Sequence, residues 1–202
     1  MDLTPVVLEG RHVRMVPLEL EHLPALWEVA RDEELWRWTQ ACIRTPADLR
    51  RYVETALRWQ AQGTALPFAT TLAADGRVVG STRFANADPE HRRVEIGWTW
   101  VGAPWQRTAV NTEAKYLMLR HAFETLGCIR VELKTDALND KSRRAIARIG
   151  GIEEGTLRSH NITETGRRRD TVYFSILDGE WPGVKQRLEA ALAAPEPGTP
   201  AP

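Results

Sequence analysis

The chain has 202 residues, 43% of them hydrophobic, which suffices for one sizeable core and one domain. Lys plus Arg and Asp plus Glu each total 27, and a formal net charge of zero argues against a general nucleic-acid or membrane binder, which carries a basic excess. Cys42 and Cys128 lie too far apart for a metal or redox motif, no apolar run approaches membrane-spanning length, and the N-terminus lacks a basic flank followed by an apolar stretch. A cytoplasmic protein with free thiols and no metal site is expected.

Arg11 to Pro17 alternates as a first strand. Leu23, Leu26, Trp27 and Ala30 then fall at helical spacing. Thr45-Pro46-Ala47-Asp48 starts a second helix, with Thr45 as its cap and Gly63 as its stop. Phe68 to Leu72 and Val78 to Phe84 form a hairpin around Asp75-Gly76. Arg92 to Val101 follows, reading as Val94, Ile96, Trp98 and Trp100 on one face and Glu95, Gly97, Thr99 and Val101 on the other. A long helix from Thr112 shows a polar stripe at Glu113, Arg120 and Glu124. Ile129 to Thr135 is a strand and Asn139 to Ile149 a short helix. Glu154 to His160 and Thr171 to Leu177 form a last hairpin around the Arg-rich loop Asn161 to Asp170, taken as solvated, and Trp181-Pro182 opens a terminal helix. Residues 1–194 thus read as a single domain and the Pro-rich stretch 195–202 as a disordered tail.

Two strand-to-helix junctions carry the chemistry. Gln106-Arg107-Thr108-Ala109-Val110-Asn111 leaves a strand and opens the helix at Thr112, where unpaired amides and the helix dipole favour a phosphate. Arg107 can pair with that phosphate directly. The second junction is Asn139-Asp140-Lys141-Ser142.

In this order the two segments resemble the acyl-CoA-binding core of the GNAT N-acetyltransferases. The resemblance is closest to the RimJ/RimL branch, which acetylates protein N-terminal amines, and it spans roughly Leu8 to Leu177. It implies a mixed α/β fold: a mostly antiparallel seven-stranded sheet, splayed between its fourth and fifth strands to hold the pantetheine arm, flanked by helices. Acetyl-CoA is the implied co-substrate and a homodimer the implied assembly. The family loop is Gln/Arg-x-x-Gly-x-Gly/Ala, and Ala109 and Asn111 depart from it. Alanine adds one methyl, and asparagine tolerates a left-handed backbone, so the loop remains feasible.

By the same resemblance Gln106 to Thr112, Asn139 and Ser142 would contact the coenzyme, and an N–H near Trp100 or Val101 would polarise the thioester carbonyl. Glu95 matches the family's strand glutamate as a base, equally readable as a surface partner of Arg92 or Arg93. His160 is a rival base, histidine being a residue type suited to general-base work. Ser142 would be a positioner or weak acid, because Asn139 to Ile149 contains no tyrosine. Trp36, Trp38 and Glu34 would roof an acceptor pocket for a protein N-terminus or a small amine such as a polyamine or aminoglycoside. A non-catalytic acyl-CoA-binding regulator is the reading from another class.

Overall fold

The computed structural model describes residues 1–194, so the tail expected at 195–202 lies outside the described residues. In chain order the elements are β1 Leu8–Glu9, β2 Val13–Pro17, α1 Leu23–Ala30, α2 Pro46–Ala61, β3 Leu66–Leu72, β4 Val78–Asp88, β5 Arg93–Val101 and α3 Ala109–Arg120. Then come β6 Arg130–Asp136, α4 Asp140–Arg148, β7 Ile152–Ile162, β8 Arg168–Leu177 and α5 Trp181–Ala193. One sheet runs β1-β2-β3-β4-β5-β6-β8-β7, antiparallel except where β5 meets β6. Its eight strands exceed the expected seven by β1, whose two residues are too few to show an alternation. Among the described residues no helix is long and apolar enough to cross a membrane.

Local chemistry sets the helix starts. The Thr45 hydroxyl accepts the Asp48 N–H at 3.2 Å while the Asp48 carboxylate accepts the Thr45 N–H at 2.8 Å, a reciprocal cap. α3 begins at Ala109 and not at Thr112, because Thr108 is its cap and accepts the Val110 N–H at 3.3 Å. The helix therefore absorbs half of what the sequence suggests is a loop.

Two apolar layers sandwich the sheet. Leu26, Leu49, Val53 and Trp36 cover Ala69 and Trp100 on the α1/α2 face. Leu117, Met118, Val184 and Leu188 cover Phe84, Val94 and Ile96 on the α3/α5 face. β5 crosses between these layers because it is bulged. Gly97 opposes Arg83 and Trp100 opposes Ser81, which sets Trp98 and Thr99 against the single Thr82. Trp98 adopts φ +50° there. One extra residue reverses the alternation. Trp98 and Trp100 consequently share a face with Glu95, not with Val94 and Ile96 as strict alternation suggests.

The parallel ladder between β5 and β6 stops early. It joins only Arg93–Glu95 to Arg130–Glu132. Beyond Glu95 the strands part, in the family's splay between these two strands.

Glu113, expected on a polar stripe, is 5% exposed. Its carboxylate accepts the N–H groups of Arg11, His12 and Val13 at 2.9, 2.6 and 2.7 Å, tying the entry of β2 to α3. Glu113→Ala should leave these amides without an acceptor and destabilise the fold by about 3 kcal/mol. Denaturant melts would detect this as a lower midpoint; an unchanged midpoint would show that water replaces the carboxylate.

Candidate active site

The parting of β5 from β6 opens a cleft of about 1120 Å³. That exceeds the roughly 300–1,000 Å³ usual for one drug-sized ligand, so two substrates have room. Among the described residues, buried side-chain polar atoms without a hydrogen-bond partner include Trp100 Nε1, Asn111 Oδ1 and Thr171 Oγ1, and all three residues line this cleft. Orphaned buried groups are expensive, so their gathering here marks a surface built for a polar ligand.

One end is cationic. Arg107, Thr108 and Asn111 line it at the start of α3, and Lys141, Arg144 and Arg148 face them from α4. Arg107 holds φ +64°, so the left-handed residue of the turn is Arg107 and neither Ala109 nor Asn111. Arg148 donates to the Thr112 hydroxyl at 3.1 Å. Gln106 donates to the Val101 carbonyl at 2.7 Å and accepts from Lys141, a bridge across the cleft mouth. Ala109, Val110 and Thr112 do not line the cleft with their side chains, and Val110 packs in the α3-side core. First-turn amides of α3, its dipole and these cations together suit a phosphorylated ligand, so the chain's own residues fit the phosphates of an acyl-CoA.

Deeper in the cleft, Asn139 caps α4 by accepting the Ser142 N–H at 3.0 Å, leaving the Ser142 hydroxyl with no partner among the described residues. Glu95 is 6% exposed. Its Oε2 accepts from Asn86 at 2.7 Å and from Lys134 at 2.8 Å, whereas Oε1 has no donor among the described residues. Its partner is thus Lys134, not Arg92 or Arg93. Burial opposes the charge on Lys134, but the Glu95 carboxylate and Tyr173 together outweigh it and raise the lysine above its ordinary value. Gly97 makes room, since a Cβ there would stand 2.9 Å from Glu95 Oε1. His160 lines the same wall with its ring against Tyr173 at 5.7 Å, and Tyr173 lies 4.6 Å from Lys134 Nζ. A bulge in β7, with Ser159 at φ +48°, sets the histidine there.

The roof is aromatic. Trp36 is a buried pillar, donating to the Ala30 carbonyl at 2.7 Å and touching Tyr52 and Trp100. Trp38 lies under the guanidinium groups of Arg37 and Arg167 at 5.1 and 5.4 Å. Glu34 lines the rim and pairs with Arg37. The β7–β8 hairpin closes onto this roof: Glu164 accepts the Cys42 N–H at 2.7 Å, and its own N–H reaches the Gln40 carbonyl at 3.0 Å. Arg167 pairs with Asp136, whose side chain is fully buried, so the Arg-rich segment is not the solvated loop its composition suggests. Behind the wall Arg83, 1% exposed and without a carboxylate partner among the described residues, lies 4.8 to 5.5 Å from the rings of Tyr52, Trp98 and Trp59.

Lys115 is a cleft residue that sequence reasoning passes over. It lines the cleft, yet is 5% exposed. Its signal was a lysine on the otherwise apolar inner face of α3, four residues after Asn111. Among the described residues no group of three His, Cys, Asp or Glu is placed to hold a metal.

A mixed sheet that parts beside a bulged strand, with a cationic helix start at one end of the gap and a carboxylate at the other, defines an acyltransferase of the GNAT class. The acetyltransferase (GNAT) domain family matches residues 12–152, and the chain belongs to it. YdaF of Bacillus subtilis (strain 168), provisionally named a ribosomal N-acetyltransferase, is 31% identical over 171 residues, covering 84% of this chain and 91% of YdaF. The crystal structure of a GCN5-related N-acetyltransferase from Brucella melitensis matches with TM-score 0.86 at 34% identity, covering 94% of this chain and 86% of that one. Mycobacterium smegmatis RimJ, in complex with CoA-disulfide, shares the fold with TM-score 0.81 at 23% identity, over 94% of this chain and 96% of its own.

Burial alone lowers Lys115 to about 7. The unfolded chain therefore binds one more proton than the folded one between about pH 7 and the ordinary lysine value near 10.4, and stability rises with pH across that window. Lys115→Met should melt at a higher temperature than wild type at neutral pH and below, with the difference shrinking toward the top of the window. A pH-independent difference in melting temperature would mean that Lys115 is not depressed.

Proposed function

We propose that this protein transfers the acetyl group of acetyl-CoA to a protein N-terminal α-amine, by direct attack with both substrates in the cleft. The observation that carries this is the opening of the sheet beyond Glu95, which joins a phosphate-binding helix start to an acidic and aromatic acceptor wall in one cavity. The name of YdaF, a ribosomal N-acetyltransferase, supports a ribosomal or other protein acceptor, and a cytoplasmic reaction is part of the same reading.

The energetics agree. An α-amine titrates near 7.7–8.0 and a lysine near 10.4, so deprotonating lysine costs about 3.4 kcal/mol more. Glu95 is already engaged by Lys134 and offers only Oε1, a modest base suited to the easier amine. The acyl donor, when bound, supplies an activated thioester. Arg107, Lys141 and the first turn of α3 hold its phosphates. Strand N–H groups near Trp100 and Val101 polarise its carbonyl, Asn139 and Ser142 line the path of its arm, and the Trp36–Trp38 roof excludes water. His160, on the same wall, is the base if Glu95 is not.

Peptides with free Ala or Ser N-termini should therefore be acetylated, while the same peptides with blocked termini and internal lysines should not. Efficient modification of the blocked peptides, or of spermidine alone, would reject the assignment. Glu95→Gln should lower kcat by about 100-fold with little change in acetyl-CoA affinity, and the loss should shrink at high pH, where the amine is already neutral. A pH-independent effect, or none, would move the role to His160 or to water.

A homodimer is part of the same proposal. All eleven residues of the edge strand β7 are at least partly accessible, and Ile152, Leu157 and Ile162 are 54%, 47% and 75% exposed. A long edge with apolar side chains invites pairing across a two-fold. Light scattering at micromolar concentration should give twice 22.8 kDa, and a mass of 22.8 kDa itself would refute the dimer.

A further inference from the structure

Lys115 is an ionisable group in the cleft that neither end of it employs. Its Nζ donates to Thr99 at 2.6 Å and to Thr82 at 3.3 Å, and the two hydroxyls bond each other at 2.7 Å. An ammonium has three N–H donors, so one is left over. No carboxylate lies within ion-pair reach of it among the described residues. On α3 itself Glu113 is held by the β2 amides and Arg120 lies over Tyr116. On the strands Glu95 is held by Lys134, and Arg83 lies among rings. On α5 Lys185 and Glu189 reach Glu124 and Tyr116. Thr99 is the residue that the β5 bulge turns toward α3. Lys115 stands six residues past Ala109, about 9 Å along the axis from the phosphate-binding first turn.

We propose that Lys115 donates the proton taken by the thiolate that departs during acetyl transfer, with Thr99 positioning its ammonium. The proposal rests on the acetyltransferase reading of the cleft. The amine nitrogen bonds to the carbonyl carbon, and the C–S bond breaks with its electron pair passing to sulfur. A proton passes from Nζ to sulfur, giving the free thiol and a neutral lysine. The acylated nitrogen loses its own proton to Glu95 or water, and Lys115 regains one from solvent, so protons balance in each cycle. An unperturbed thiol titrates near about 8.5, and a donor matched to the working pH is an effective one. Burial sets Lys115 in that range. The Ser142 hydroxyl is far too weak an acid, and α4 carries no tyrosine.

The test compares wild type, Lys115→Met and Lys115→Arg over the neutral to alkaline range, using a peptide with a free Ala N-terminus. Two readouts are followed: steady-state thiol release, and the ultraviolet absorbance of the thiolate of free CoA bound without turnover. Lys115→Met should lose about 100-fold or more in kcat and the alkaline fall of the pH profile. Its KM for acetyl-CoA should stay within about twofold of wild type. Bound CoA should ionise more readily in wild type and Lys115→Arg than in Lys115→Met. The arginine variant keeps the charge but cannot release a proton, so it too should lose kcat. If the methionine variant does not fold, the arginine variant decides by its kcat at unaltered CoA affinity. Normal acetylation that ignores residue 115 overturns the donor role alone. CoA that binds while no amine is acetylated overturns the function, and the donor role with it.

Discussion

The bulge that sets Trp98 and Thr99 against Thr82 is the constraint from which the site follows. Holding a tryptophan at φ +50° costs on the order of 1–3 kcal/mol, so the surroundings must over-determine it. They do so with aromatic packing: Trp98 meets Trp59 edge-on at 5.4 Å, and the Arg83 guanidinium lies beneath it. By shifting the strand's phase, the bulge puts Trp98 and Trp100 on the side of Glu95 and Thr99 on the side of α3. The β5–β6 ladder ends at Glu95, just before the shift that follows Gly97, so cavity and lining adjoin on one strand.

The cleft is also held from outside the sheet. The β7–β8 hairpin reaches back to the segment between α1 and α2 through Glu164, while Arg167 bridges buried Asp136 and the Trp38 ring. Two segments more than a hundred residues apart are thereby tied together beside the cleft. Glu113 makes an equally distant tie at the other end, from α3 to the entry of β2. Such long-range contacts fix the walls at the expense of loop-closure entropy, which grows only slowly with loop length.

Periodicity and capping residues exposed most of the architecture, because Thr45, Asn139 and the hairpin glycine act within a few residues. What sequence reasoning misplaced depended on distant partners. Glu113 reads as a surface residue until the β2 amides are brought to it, and the Arg-rich hairpin reads as solvated until Asp136 is found beneath it. The phase of β5 was lost because an inserted residue has no local signature beyond Gly97. Lys115 looked like an ordinary helix lysine, since nothing nearby in sequence announces Thr82 and Thr99. Lys141, Arg144 and Arg148 became a group only when α4 was laid beside α3.

That last grouping bears on how the two substrates arrive. The chain as a whole is neutral, so it exerts little pull at a distance. Arg107, Lys141, Arg144 and Arg148 nevertheless concentrate positive charge at one mouth of the cleft. Their field fades over about 8 Å at physiological ionic strength, so it acts on a polyanion already at the entrance and does not draw one in from solution. On the proposed reading, capture of a phosphorylated substrate would be a salt-sensitive, short-range event, while an acceptor would approach the aromatic end at the orientation-limited pace of neutral surfaces.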